Sequence, residues 1–64
     1  MNWNKTIEGV PQSDVKVLAC YHGFYKLLVW NSTYECWDDE EGDDYFCDKE
    51  QVSYWMPLPE MPKV

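Results

Sequence analysis

Six carboxylates crowd into one short stretch of this chain: Asp38, Asp39, Glu40 and Glu41, then Gly42, then Asp43 and Asp44, with Trp37 on one side and Tyr45 and Phe46 on the other. Such a run can hold a divalent cation, imitate the phosphate track of a nucleic acid, or remain in water as a solvated turn. An EF-hand loop needs glycine at its sixth position and oxygen ligands at its first, third and fifth. Setting Gly42 at the sixth places Trp37 at the first, so the calcium pattern fails. Like charges four residues apart repel and Gly42 interrupts the run, so residues 38–48 are not expected to form a stable helix, although a single helical turn fits at residues 48–52. The expectation is a polar loop whose carboxylates Asp38, Asp39, Glu40, Glu41, Asp43 and Asp44 face outward. Trp37, Tyr45 and Phe46 would then stand beside it as apolar anchors for a partner.

Cys20, His22, Cys36 and Cys47 supply four nitrogen or sulfur groups, the number a structural zinc takes, and Cys20 and His22 stand two apart on one strand. None shows the paired spacing of a zinc ribbon or finger, and cysteine is a common core residue, so no metal and no cofactor is expected. Nucleophilic catalysis needs a base beside a nucleophile and a third group to orient the base. His22 is the one histidine and, next to Gly23, reads as an exposed turn residue, so the sequence predicts a protein that is not an enzyme. Three cysteines with no Cys-x-x-Cys spacing fit reduced thiols better than a secreted disulfide framework.

Charge narrows the partners. Twelve acids against five lysines and no arginine give a net charge of −7, which argues against nucleic acid and anionic membrane as ligands. Residues 35–50 hold nine of those acids and one lysine, so one loop or face carries nearly the whole field. No apolar leader is expected at the start of the chain, and no apolar run, residues 27–30 included, is long enough to span a bilayer.

These groups must be positioned by a small scaffold. A chain of 64 residues is read as one domain near the lower size limit for independent folding, and eleven aromatics must supply much of its core. So thin a margin leaves room for a homodimer or a partner. Residues 15–21 (VKVLACY) and 24–30 (FYKLLVW), separated by His22-Gly23, read as a β-hairpin. Asn31-Ser32-Thr33 supplies turn chemistry, and residues 34–37 (YECW) resume an extended strand before a long acidic loop. Residues 51–56 (QVSYWM) read as a fourth strand stopped by Pro57, Pro59 and Pro62. Trp3 and Ile7 are expected to pin the N-terminal segment across the sheet. The fold expected is therefore a small, mainly β domain: an antiparallel meander of about four strands with the N-terminal segment and the proline-rich tail packed on it.

The stretch Tyr54-Trp55-Met56-Pro57-Leu58-Pro59-Glu60-Met61-Pro62 resembles the signature of a family of small domains of unknown function from tailed bacteriophages and prophages, whose members end in a Trp-Met-Pro-Leu-Pro-Glu motif. Trp3, Pro11, Val15, Val17-Leu18, Tyr34 and Trp37 extend the resemblance over nearly the whole chain; the acidic run is not part of it. The resemblance implies a phage-encoded accessory protein acting in the bacterial host cytoplasm, and it brings no catalytic residue and no ligand. Residue chemistry and resemblance together predict a non-enzymatic module that binds a host or phage protein with a basic surface, as an inhibitor of a host protein. Two alternatives stay open: a DNA mimic that inhibits a nucleic-acid enzyme or defence nuclease, and a structural, homo-oligomeric phage component.

Overall fold

The computed structural model describes residues 2–59 and places six antiparallel strands in one open sheet with almost no helix. They are β1 (Asn4–Lys5), β2 (Lys16–Tyr21), β3 (Phe24–Asn31), β4 (Cys36–Asp38), β5 (Tyr45–Asp48) and β6 (Val52–Pro57), with a 3-10 turn at Lys49–Gln51. Their order across the sheet is β1-β6-β2-β3-β4-β5. A mainly β fold was expected, but with about four strands. The meander holds from β2 to β5, whereas β6 returns to pair with β2, and β1 adds to the far side of β6. Two strands escape the sequence pattern. β1 is only two residues long, and β5 follows the acidic run so closely that charge masks its alternation.

The hairpin forms because His22 and Gly23 take left-handed angles (φ 47° and 82°), the pair of positive φ values that a two-residue type I′ turn requires. Pairing from Tyr21–Phe24 back to Lys16–Val29 then sets which side chains share a face. Val17, Ala19, Leu28, Trp30, Trp37, Cys47 and Val52 point to one side and form the core. Trp30 and Trp37, partners in the β3–β4 register, meet edge to face at 5.0 Å.

The sheet is strongly curled. Tyr21 of β2 and Phe46 of β5 are separated by two strands, so at about 4.8 Å per strand a flat sheet would hold them roughly 14 Å apart. Their ring centroids lie 4.9 Å apart instead. Curling also explains how three residues suffice to carry the chain from β5 to β6, which sit on opposite sides of the meander. The indole of Trp37 donates to the carbonyl of Lys49 in that connection (3.3 Å), tying the 3-10 turn to the core.

The N-terminal segment is fastened differently from expectation. Ile7 is 87% exposed and pins nothing. Instead Thr6 and Pro11 are buried, the Thr6 amide donates to the carbonyl of Ser53 (3.0 Å), and the indole of Trp55 donates to the carbonyl of Gly9 (2.9 Å). Trp3 does lie on the sheet, its ring parallel to that of Tyr25 at 6.1 Å. The tail also differs: Pro57 is a strand residue paired with Val17, and Pro57, Leu58 and Pro59 are exposed rather than packed on the sheet. The remainder of the tail signature, Glu60 to Pro62, lies outside the described residues.

Candidate functional site

The acidic loop is a closed, self-bonded turn. The amide of Asp39 donates to the carbonyl of Asp44 (2.9 Å), and the amide of Gly42 donates to the carbonyl of Asp39 (2.9 Å). The carboxylate of Asp39 accepts from the amide of Asp43 (3.1 Å), so this side chain is spent partly on shaping the loop. Gly42 has φ 76° and lies over Val29 of β3. That cover accounts for the burial of Val29, which faces away from the core yet is only 6% exposed.

Two of the residues expected to be accessible are enclosed. Strand alternation turns Trp37 inward opposite Trp30 and Cys47, where it is completely buried. Asp38 still belongs to β4 and is 9% exposed beneath the loop. One of its oxygens accepts from the side-chain amide of Asn31 (3.1 Å) and the other from the thiol of Cys36 (3.8 Å). The carbonyl oxygen of the Asn31 side chain in turn accepts from the amides of Thr33 (3.0 Å) and Tyr34 (3.1 Å), an Asx turn that joins the β3–β4 connection to the buried carboxylate. Sequence alone gives no sign of this, because Asp38 reads as one more member of an acidic run.

Of the five remaining loop acids, all but Asp44 border one of two hollows. Asp39, Glu40 and Glu41 border a groove of about 430 Å³ whose other walls are Tyr25, Lys26, Leu27 and Phe46. Asp43 borders a second hollow with Tyr34, Glu35, Asp38, Tyr45 and Asp48. Glu40, Glu41, Asp43 and Asp44 are exposed, Asp39 is half-buried, and Tyr45 is 62% exposed. The Tyr45 hydroxyl donates to Asp48 (2.7 Å), and chiefly this bond pushes its ionisation up to about 12. Phe46 is half-buried against the core, with the Lys26 ammonium 5.2 Å from its ring centroid, a cation–π distance. Tyr25, Lys26 and Leu27 were not among the expected site residues. Their signal was a mismatch of lengths, a seven-residue run at 24–30 facing a four-residue run at 34–37.

The thiols do not converge. Cys47 faces the core, Cys36 lies on the opposite face opposite Asp48, Cys20 is on β2, and His22 stands in the hairpin turn. Among the described residues, no three His, Cys, Asp or Glu side chains come together as a metal site. Burial pushes the Cys47 thiol up to about 11; burial, then the charge of Asp38 and its hydrogen bond, also raises that of Cys36. Both are therefore poor nucleophiles at neutral pH.

Fold and site together define a small curled β-sheet protein with an acidic loop set beside an aromatic groove. The chain belongs to the family described as protein of unknown function (DUF551), whose model matches residues 2–63. It is 31% identical over 65 residues to an uncharacterized 7.8 kDa protein in the ral-gp17 intergenic region of Salmonella phage P22, with 97% of each chain covered. This is a phage small-domain family of unknown function. No solved structure matches the chain. Among the described residues no helix is long and apolar enough to cross a membrane.

Proposed function

We propose that this chain is a phage-encoded accessory protein of the bacterial host cytoplasm that works without catalysis, by binding a host or phage protein through a basic surface on that partner. One observation carries this: Glu40 and Glu41 are exposed on the border of a groove that Tyr25, Leu27 and Phe46 also line. Exposed carboxylates steer a cationic partner over a distance comparable to the Debye length, and aromatic rings beside them supply apolar area once contact is made. Trp37 and Asp38 take a supporting part, since the indole anchors the connection into β6 and the carboxylate braces the β3–β4 turn. Inhibition of a host protein is the simplest use of such a module.

The test is capture from bacterial lysate with the full chain as bait, beside a variant carrying Glu40→Gln, Glu41→Gln, Asp43→Asn and Asp44→Asn. Expected is a partner retained by the parent chain, lost by the variant and released as salt rises. A partner retained equally by both would overturn the assignment of the loop. If duplex DNA displaces the partner, the loop acts as a nucleic-acid mimic; if it does not, the contact is an ordinary protein interface.

A further inference from the structure

One side of β3 is bare over half its length. Tyr21 and Phe24 flank the two-residue turn and so form the narrow pair that exchanges both hydrogen bonds. Alternation then turns the backbone N–H and C=O of Phe24, Lys26 and Leu28 toward β2, and those of Tyr25, Leu27 and Val29 toward the opposite side. On that side β4 meets Val29, and its register goes no further toward the turn than the Val29–Asp38 pair. Among the described residues, no backbone hydrogen bond outside the strand ladders involves Tyr25 or Leu27. Their N–H and C=O groups thus point into the groove bordered by Asp39, Glu40, Glu41 and Phe46.

An open edge of this kind is a template for another strand, and folded proteins ordinarily block it. Here the flanking charge selects the occupant. A second copy of this chain would bring another acidic loop and a further net charge of −7 against the first, so edge-to-edge pairing with itself is opposed. A cationic strand is favoured by the same field. The two faces of the edge also differ. Lys26 and Phe46 lie on the concave side, where an added strand is best matched by apolar residues, and Tyr25 and Leu27 lie on the convex side, as does the acid-rich loop over Val29.

Building on the partner-binding role proposed above, we infer that the Tyr25–Leu27 edge of β3 captures an extended segment of its partner by strand addition, the segment alternating basic residues toward Glu40 and Glu41 with apolar residues over Phe46. Backbone bonds supply the register and the loop carboxylates choose the sign of charge.

The probe is a capped octapeptide of alternating lysine and valine, titrated into the full chain and followed by amide NMR and hydrogen exchange. Expected is slowed exchange at the Tyr25 and Leu27 amides, with affinity falling by about tenfold or more when backbone N-methyl groups block the edge-facing amides of the peptide, one set of alternate residues being sensitive and the other not. A matching peptide of alternating glutamate and valine is expected not to bind. Binding of the lysine peptide that is lost in Glu40→Gln/Glu41→Gln, yet leaves the Tyr25 and Leu27 amides unchanged and ignores N-methylation, overturns strand addition while leaving the acidic loop as a partner site. No binding of the lysine peptide at millimolar concentration also overturns strand addition, and the loop assignment is then decided by lysate capture alone.

Discussion

Trp30 and Trp37 face one another across the β3–β4 ladder and meet at 69° with their centroids 5.0 Å apart. Neither is a surface anchor: they are 3% and 0% exposed, and Trp37 reaches past the core to bond the Lys49 carbonyl. Trp37→Ala is expected to cost about 3 to 5 kcal/mol, enough to unfold much of so small a domain. Trp37→Phe, which keeps the ring contact and loses the hydrogen bond, is expected to cost about half as much. Urea denaturation followed by circular dichroism measures both, and a Trp37→Ala chain as stable as the parent would contradict the core assignment.

Gly42 is required by its backbone angle and not by lack of room. A Cβ there would lie 3.9 Å from the nearest Val29 methyl, an ordinary contact, while φ stands at 76°. Gly42→Ala is therefore expected to destabilise by about 1 kcal/mol and Gly42→Asn by less, since asparagine tolerates left-handed angles. Thermal melts of the two variants check the order.

Asn31 is the donor to buried Asp38 and the acceptor of the Asx turn. Asn31→Ala removes both roles and is expected to cost about 1 to 3 kcal/mol, with faster amide exchange at Thr33 and Tyr34. Asn31→Asp keeps the turn acceptor but loses the donor and sets a second carboxylate against Asp38, so it is expected to be destabilised while the Thr33 and Tyr34 amides stay slow to exchange.

The buried thiol predicts an alkaline limit to stability. An unfolded Cys47 ionises near 9, whereas in the fold burial holds its proton to about 11. From pH 9 upward the unfolded chain releases this proton first, so the stability that the neutral thiol contributes is complete below pH 9 and is lost on rising toward pH 11. Denaturation midpoints measured across that window are expected to fall in the parent chain and to fall less steeply in Cys47→Ala. Equal slopes would show that ionisation of Cys47 is not the cause.

The hairpin, the fourth expected strand and the 3-10 turn were legible because their signals are local. His22-Gly23 needs no distant contact to turn, and residues 15–21, 24–30 and 51–56 carry the β-branched and aromatic content of strands. What could not be seen depends on pairing between distant residues. Asn4 and Lys5 are a strand only because Trp55 and Tyr54 lie opposite them. The acidic loop was legible as a loop, but its composition hid that Asp38 is inside, that Asp39 ties the turn, and that Gly42 covers Val29. The groove depended on the relative lengths of β3 and β4, a property of two segments taken together.

The placement of β6 beside β2 has a consequence for synthesis. Val17 must wait for Pro57, forty positions later, before its second flank is covered, and β1 must wait for the same strand. Vectorial emergence from a ribosome can therefore yield the β2–β5 meander early but not a finished molecule. High contact order of this sort slows folding, and until β6 has emerged β2 keeps an uncovered flank that chaperones or neighbouring nascent chains can seize.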